Sequence, residues 1–197
     1  MPALTDMHRH IQAYCERTAR ALNPGVVARI PPLAEALREA WRLGRTVYLC
    51  GNGGSAVNAL HLASDFLYGA GITNGRGLRA EALSSNQAVL TSLANDIGYD
   101  QVFAEQLRVK ANAGDVLVVL SGSGNSPNVV QALETANGLG LTTFAILGYS
   151  GGRCKNIAQH AIHVEIDDMQ IAEDLQLMIG HMCMQWLLAN PINSPSR

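Results

Sequence analysis

Two short segments rich in glycine and hydroxyl groups offer the chemistry of an anion-binding site. One reads Ser121-Gly122-Ser123-Gly124-Asn125-Ser126 and follows an apolar run at 116–120. Its hydroxyls and backbone amides precede a predicted helix, and the start of a helix favours a bound anion. The segment has no lysine and does not match the G-x-x-x-x-G-K-[ST] signature of nucleotide-hydrolysing proteins. It therefore predicts a site for a phosphate monoester.

The second segment is the turn Gly51-Asn52-Gly53-Gly54-Ser55, which follows the apolar run 46–50. Its glycines permit positive φ and a close approach of the backbone to a ligand, and its polar side chains add hydrogen bonds. Turns of this kind also join a strand to a helix without binding anything. Both interpretations are open on the basis of this turn alone.

The segments around these turns alternate between strand and helix patterns. Apolar runs rich in β-branched residues predict strands at 46–50, 116–120, 143–147 and 161–164. Apolar residues at helical spacing predict helices at 7–22, 26–43, 55–67, 99–111, 126–139, 151–158 and 171–188. Strands that are apolar throughout are typical of a parallel sheet with helices on both faces. We therefore expect an α/β fold with a doubly wound parallel sheet, preceded by an N-terminal helical hairpin.

Length, charge and cysteine content restrict the class of protein. A chain of 197 residues, 48% of them hydrophobic, is long enough for one substantial core. A net charge of -2 gives no basic face for nucleic acid. No apolar run approaches the roughly 20 residues that span a bilayer, and the N-terminus lacks a signal-peptide pattern. The four cysteines are scattered along the chain, which fits reduced thiols better than a disulfide framework. We expect one cytoplasmic domain over 1–197, with neither a membrane nor nucleic acid as a partner. Within it, the helices in 1–44 should pack on the core or on a neighbouring subunit, and 190–197 should form a polar tail.

With both turns in place, the chain resembles the sugar isomerase (SIS) domain family and, within it, the phosphoheptose isomerases, over nearly its full length. The segments that carry the resemblance are Gly51-Asn52-Gly53-Gly54-Ser55-Ala56 with His61 downstream, Leu90-Thr91-Ser92-Leu93-Ala94-Asn95-Asp96, the turn 121–126, and a last helix with His181. The resemblance implies a flavodoxin-like SIS fold and a homotetramer with sites near its interfaces. It also implies conversion of sedoheptulose 7-phosphate to D-glycero-D-manno-heptose 7-phosphate, often with bound zinc, which would feed heptose and surface polysaccharide biosynthesis.

The resemblance also assigns roles to individual residues. Phosphate contacts are implied for Ser121, Gly122, Ser123 and Ser126. Sugar contacts are implied for Asn52, Gly53, Gly54, Ser55, Asn95, Asp96 and Glu173. A divalent metal, with zinc expected, would be held by His61, Asp65, Glu173 and His181.

This chain departs from the family at two of those positions, because the family usually has Glu at 65 and Gln at 173. His61 and Asp65 are four residues apart on a predicted helix and share one face. Eight helical residues rise about 12 Å, so Glu173 and His181 reach one ion only if the helix bends at its start or a neighbouring subunit contributes. A set of two imidazoles and two carboxylates would accept zinc, and also manganese, iron or nickel.

Aldose–ketose isomerisation requires one group that moves a proton between C1 and C2 and one that moves a proton between the two oxygens. We predict that Asp65 and His181 form this pair, and which of them is the base stays open. A metal at His61 could instead polarise the carbonyl and the hydroxyl. Two other functions stay open: a non-catalytic SIS scaffold resembling the replication-initiator-associating proteins, and an isomerase of another ketose phosphate.

Overall fold

The computed structural model describes residues 4–72 and 75–192, and within them the strands form one parallel sheet. The strands are β1 (Thr46–Cys50), β2 (Arg79–Ala82), β3 (Val116–Ser121), β4 (Thr142–Leu147) and β5 (His160–His163). Their order is β2-β1-β3-β4-β5, and every neighbouring pair is parallel. The strand order reverses between β1 and β3, and ligands of such sheets bind beyond the carboxyl ends of the strands at that point.

Helices cover both faces of this sheet. They are α1 (Leu4–Ala21), α2 (Pro24–Val27), α3 (Pro31–Leu43), α4 (Gly54–Ser64), α5 (Ala70–Ile72), α6 (Gln87–Asp96), α7 (Ala104–Lys110), α8 (Pro127–Gly138), α9 (Cys154–Ile157) and α10 (Met169–Ala189). The predicted doubly wound α/β fold is confirmed. Over the described ranges, no helix combines the length and the apolar character needed to cross a membrane.

Alternation along the strands divides the core into two apolar layers. In β1, Val47 and Leu49 belong to the layer covered by α3, α4 and α10, whereas Tyr48 and Cys50 belong to the layer covered by α7 and α8. Burial raises the pKa of Cys154 to about 11 and that of Cys183 to about 12. These buried thiols therefore stay protonated, and they contribute apolar volume to the core.

Four predicted helices differ from the observed ones. The helix predicted over 99–111 is a 3₁₀ turn at Tyr99–Gln101 followed by α7, and the helix predicted over 151–158 is observed only as α9. The helix predicted over 26–43 is wrong at its start: α2 ends at Val27 and α3 begins at Pro31, because a proline cannot continue a preceding helix but fits a first turn. The helix predicted over 55–67 is α-helical only to Ser64. From there a π-helical segment, Asp65–Gly69, leads into α5.

Strand β2 and helix α6 were absent from the sequence prediction. Strand β2 has the sequence Arg-Ala-Glu-Ala, which lacks the β-branched and aromatic residues typical of strands. It pairs with β1 at the edge of the sheet, where Ala80 and Ala82 are buried and Arg79 is exposed. Helix α6 is capped by Asn86, whose side chain accepts a hydrogen bond from the amide of Val89.

Helix α1 is attached to the start of α10 by polar contacts. The Tyr14 hydroxyl donates to Asp174 at 2.5 Å, and Arg17 donates to Asp168 at 2.8 Å. The hydrogen bond to Asp174 raises the pKa of Tyr14 to about 12, so the hydroxyl keeps its proton at neutral pH. Ala21 is the only buried residue of α1 among those whose burial is described. The predicted tail 190–197 falls mostly outside the described residues, because 193–197 are not described.

Helices α4 and α10 lie side by side and approach closely at Gly180. A Cβ atom at Gly180 would lie 2.3 Å from Leu62 Cδ2, and both residues are buried. Leu62 and Gly180 are the sequence neighbours of His61 and His181. The absence of a side chain at 180 thus sets the distance between the two histidine-bearing helix segments.

We predict that Gly180→Val lowers the free energy of unfolding by about 1–3 kcal/mol, because the added methyl groups overpack the contact with Leu62. Denaturant unfolding measures this change. Gly138→Ala is the matched control, since a Cβ at 138 meets nothing within 4 Å. Its unfolding free energy should stay within about 1 kcal/mol of the parent value. Equal stability of Gly180→Val and the parent would contradict the close approach.

Candidate active site

A cavity of about 280 Å³ lies at the carboxyl ends of β1 and β3, where the strand order reverses. Residues of both predicted turns line it, together with two residues of α10: Asn52, Gly53, Gly54, Ser55, Ser121, Gly122, Ser123, Ser126, Met169 and Glu173. The two glycine-containing turns predicted from the sequence, 51–55 and 121–126, therefore line one cavity. Helices α4 and α8 both begin at its wall, so two helix N-termini contribute positive potential there.

The serine-rich turn presents hydroxyl groups to this cavity. Ser121 Oγ accepts a hydrogen bond from the amide of Gly124 at 3.0 Å, which leaves its own proton available for a ligand. Ser126 is the N-cap of α8, but its side chain makes no capping hydrogen bond in the described structure. Gly124 adopts a φ of 67° and lies against Gly151, where a Cβ would meet the carbonyl oxygen at 2.1 Å. The turn therefore has the donors and the tight backbone of an anion site.

The turn after β4 supports the serine-rich turn, and the sequence analysis did not find this contact. The Gly148 amide donates to the carbonyl of Gly122 at 3.0 Å, and the Cys154 amide donates to that of Gly124 at 3.0 Å. Tyr149 has a φ of 43° and is the one non-glycine residue with positive φ over the described ranges. The glycines around Tyr149 were a visible signal of a constrained turn.

Asn52 belongs to a hydrogen-bonded group at the rim of the cavity. Its side chain and that of Asn128 donate to each other at 2.8 Å, and the Tyr99 hydroxyl donates to Asn52 Oδ1 at 3.0 Å. Neither partner of Asn52 was predicted from the sequence. Asn128 follows the serine-rich turn by two residues, and that position was the available signal.

Helices α4 and α10 run in the same direction, as their successive contacts show. Glu173 meets Gly54 at the start of α4, Asn58 donates to Gln176 at 3.0 Å, and Met184 meets Gly69 beyond the end of α4. The cavity lies at the first of these contacts. The histidines lie further along the same two helices.

His61, Asp65 and His181 form a compact group on these helices. The Nε2 atoms of the two histidines are 2.9 Å apart, and Asp65 Oδ2 lies 3.4 Å from His61 Nε2 and 3.5 Å from His181 Nε2. The three side chains are between one third and one half exposed, so the group is accessible to small molecules. The π-helical segment begins at Asp65, and π-helical turns occur frequently at functional sites.

The donor set and its spacing fit a metal ion. Two imidazole nitrogens and one carboxylate oxygen lie within 4.8 Å of one another. Ligand atoms about 2.0–2.1 Å from a tetrahedral zinc ion are about 3.3 Å apart. The two separations that involve Asp65 Oδ2, 3.4 and 3.5 Å, are close to this value, and the distance of 2.9 Å between the histidine Nε2 atoms is shorter. Three protein ligands also leave a coordination position open, as catalytic zinc sites require.

The structure does not bring Glu173 into the metal group, although the sequence analysis included it as a ligand. Eight residues of α10 separate it from His181, a rise of about 12 Å, and α10 does not bend back to join them. Asn95 and Asp96 lie at the end of α6, hydrogen-bonded to each other at 2.8 Å, and they are not among the residues that line the cavity.

Comparisons with known proteins agree with this architecture. The family model described as SIS domain matches residues 10–148. The chain is 36% identical over 173 residues to the phosphoheptose isomerase of Clostridium acetobutylicum, an alignment that covers 87% of this chain and 88% of that protein. It is 41% identical over 159 residues to the phosphoheptose isomerase of Chlorobaculum parvum, covering 79% and 76% of the two chains.

Solved structures show the same similarity over nearly the full length. The phosphoheptose isomerase of Neisseria gonorrhoeae superimposes with a TM-score of 0.84 at 28% identity, covering 93% of this chain and 99% of that chain. The phosphoheptose isomerase of Francisella tularensis gives a TM-score of 0.82 at 28% identity, covering 97% and 100%. The chain therefore belongs to the SIS domain family and, within it, to the phosphoheptose isomerases.

Proposed function

We propose that this protein is an aldose–ketose isomerase that converts sedoheptulose 7-phosphate to D-glycero-D-manno-heptose 7-phosphate. Relatives named phosphoheptose isomerase, aligned over most of both chains, support this assignment. In this proposal the serine-rich turn binds the phosphate group. His61, Asp65 and His181 lie at the carbon atoms that react.

The observation that carries the proposal is the spacing of the cavity and the metal group along α4. Gly54 lines the cavity and His61 lies seven residues later, a rise of about 10 Å. An extended seven-carbon chain with a terminal phosphate has eight bonds between C1 and phosphorus, which span about 9–10 Å. A seven-carbon substrate with its phosphate beside Gly54 is therefore long enough for C1 and C2 to reach His61.

The chemistry follows from the groups at that end. The ketose loses a proton from C1, an enediol forms, and a proton is added at C2 while another passes from O1 to O2. Asp65 and His181 carry these transfers, since a carboxylate and an imidazole can both exchange protons near neutral pH. In the alternative mechanism, a divalent ion, for which we propose zinc, would be held by His61, Asp65 and His181 and would supply Lewis acidity to the oxygens of the substrate. Asp65 and His181 would then be ligands, in place of the proton-transfer pair.

We also propose that the enzyme is a cytoplasmic homotetramer. Helix α1 has 18 residues and buries little, whereas most of the stability of a helix in a protein comes from packing of its apolar face. Exposed apolar side chains also lie on α1 and α10, among them Met7, Ile11, Met182 and Trp186. Burial of these surfaces between subunits would stabilise both helices.

The substrate assignment predicts selection by chain length. Sedoheptulose 7-phosphate should be converted to the aldose. For a five-carbon ketose 5-phosphate, kcat/KM should be at least about 100-fold lower. The reason is that a chain two carbons shorter places its carbonyl about 2.5 Å from the reacting position. NMR of the aldose product measures both rates. Equal kcat/KM values would contradict the heptose assignment, and no turnover with added zinc would favour the scaffold function.

The assigned roles predict opposite kinetic effects at the two ends of the site. His181→Gln should lower kcat by at least about 100-fold and leave the affinity for the substrate phosphate nearly unchanged. Ser123→Ala should raise KM by about 5–10-fold with little change in kcat, because it removes a hydrogen bond to the phosphate. Steady-state kinetics separates the two effects, and an active His181→Gln enzyme is incompatible with the assignment.

Metal dependence is predicted for the histidine group. Chelation should abolish turnover, and added zinc should restore it. His61→Ala should weaken zinc binding by at least about 100-fold in calorimetry, because it removes one of three protein ligands. His10→Ala, which changes an exposed histidine of α1, is the matched control and should bind zinc like the parent. Equal zinc affinity of His61→Ala and the parent would place the metal elsewhere.

A further inference from the structure

Asn128 is a buried polar side chain that takes no part in the proposed mechanism. It is the second residue of α8, it is only 1% exposed, and it is not among the residues that line the cavity. Burial of an amide is costly unless its hydrogen bonds are made. Asn128 makes them with the backbone of Val129 and with the side chain of Asn52, which does line the cavity.

The backbone of α8 determines the orientation of the Asn128 amide. The Val129 amide donates to Asn128 Oδ1 at 2.9 Å. The two ends of a side-chain amide have nearly the same shape, and their hydrogen-bond partners distinguish them. A backbone N–H can only donate, so the atom that it meets is the oxygen. The other terminal atom of Asn128 is therefore the nitrogen.

The orientation of Asn128 in turn determines that of Asn52. Asn128 Nδ2 donates to Asn52 Oδ1 at 2.8 Å, and Asn52 Nδ2 donates to Asn128 Oδ1 at 2.8 Å. The Tyr99 hydroxyl donates to the same Asn52 Oδ1 at 3.0 Å. A carbonyl oxygen has two lone pairs, so these two donors saturate the acceptor of Asn52.

Asn52 is left with one hydrogen-bonding group for a ligand. One N–H of its Nδ2 atom is directed to Asn128, and among the described residues no acceptor takes the other. The oxygens of a phosphate dianion and of a carbonyl group are acceptors only. A free N–H in the cavity wall suits such an oxygen, whereas a flipped amide would present its own oxygen and repel it.

We propose that Asn128 is a positioning residue, which holds the Asn52 amide so that it offers an N–H to the sugar phosphate in the cavity. Tyr99 completes this arrangement from the 3₁₀ turn Tyr99–Gln101. The pair of amides also joins the turn 51–55 to the start of α8, across the point where the strand order reverses. This inference rests on the proposed function, since it takes a sugar phosphate as the ligand.

A double-mutant cycle tests whether Asn128 acts through Asn52. It compares the parent, Asn128→Ala, Asn52→Ala and the variant with both substitutions. Calorimetry with heptitol 7-phosphate, the reduced sugar that has no carbonyl group to isomerise, gives the affinity. Steady-state kinetics with sedoheptulose 7-phosphate gives kcat and KM. Asn137→Ala is the matched control, because it removes side-chain hydrogen bonds with Ile157 and Thr143 at the other end of the same helix.

We expect Asn128→Ala to weaken the binding of heptitol 7-phosphate and to raise KM by about 5–10-fold, because Asn52 is then free to flip. Its kcat should stay within about threefold of the parent value. When Asn52 is already alanine, the same substitution should change the affinity by less than about twofold. Asn137→Ala should melt at a lower temperature and keep the affinity and KM of the parent, which separates positioning from a general loss of stability.

Tyr99→Phe is a second variant that spares the core, because Tyr99 is 58% exposed. It removes one of the two donors to Asn52 Oδ1, so the affinity should fall by about two- to fivefold, and only when Asn52 is present. This variant decides the role of the amide pair if thermal melting shows that Asn128→Ala is not folded.

Two results would overturn the proposal: an affinity of Asn128→Ala within about twofold of the parent, or an equal loss of affinity with and without Asn52. For an unfolded Asn128→Ala, an unchanged affinity of Tyr99→Phe overturns it instead. Failure of the proposed function looks different, because the parent then binds heptitol 7-phosphate without converting sedoheptulose 7-phosphate, and the cycle still decides the role of Asn128. If the parent binds neither ligand, the sugar-phosphate site is wrong and the role of Asn128 is wrong with it.

Discussion

The parallel contact between α4 and α10 is the constraint on which the site depends. Gly180 lets the helices approach at Leu62, and the Asn58 side chain bonds to both Glu173 and Gln176 across the same contact. Both helices start at the carboxyl edge of the sheet, so their alignment sets the distance from the phosphate cavity to the histidine pair. A rotation or slide of either helix would change that distance and, under the proposed function, the length of substrate that fits.

In the proposed phosphate site, the groups available to an anion are helix dipoles and hydroxyl groups. Two helix N-termini and the serine-rich turn supply the favourable potential, and the only formal charge among the described lining residues is that of Glu173. Such a site gains little from charge alone, so the affinity for a ligand depends on its hydrogen-bonding groups. The proposed metal group of His61, Asp65 and His181 is between one third and one half exposed, which would suit the entry and exit of a sugar.

The sequence predicted the parts of the molecule that local chemistry determines. The serine-rich turn, β1, β3, β4 and the i,i+4 pair His61 and Asp65 all have short-range patterns, and each lies where it was expected. Strand β2 was not predicted because its sequence, Arg-Ala-Glu-Ala, lacks the β-branched and aromatic residues typical of strands, and an edge strand forms without them. The eight-residue spacing of Glu173 and His181 along one helix already indicated their separation. The partnership of Asn52 with Asn128 depends on packing between distant segments, which spacing along the chain does not encode.

The central claim is that one substrate spans the cavity and the metal group of a single pair of helices. The most direct measurement is a crystal structure with zinc and a seven-carbon sugar phosphate, with anomalous scattering recorded at the zinc edge. The account predicts a zinc peak between His61, Asp65 and His181, phosphate density against residues 121–126, and a continuous sugar chain between them. Phosphate density outside the cavity, or zinc bound away from these three side chains, would contradict it.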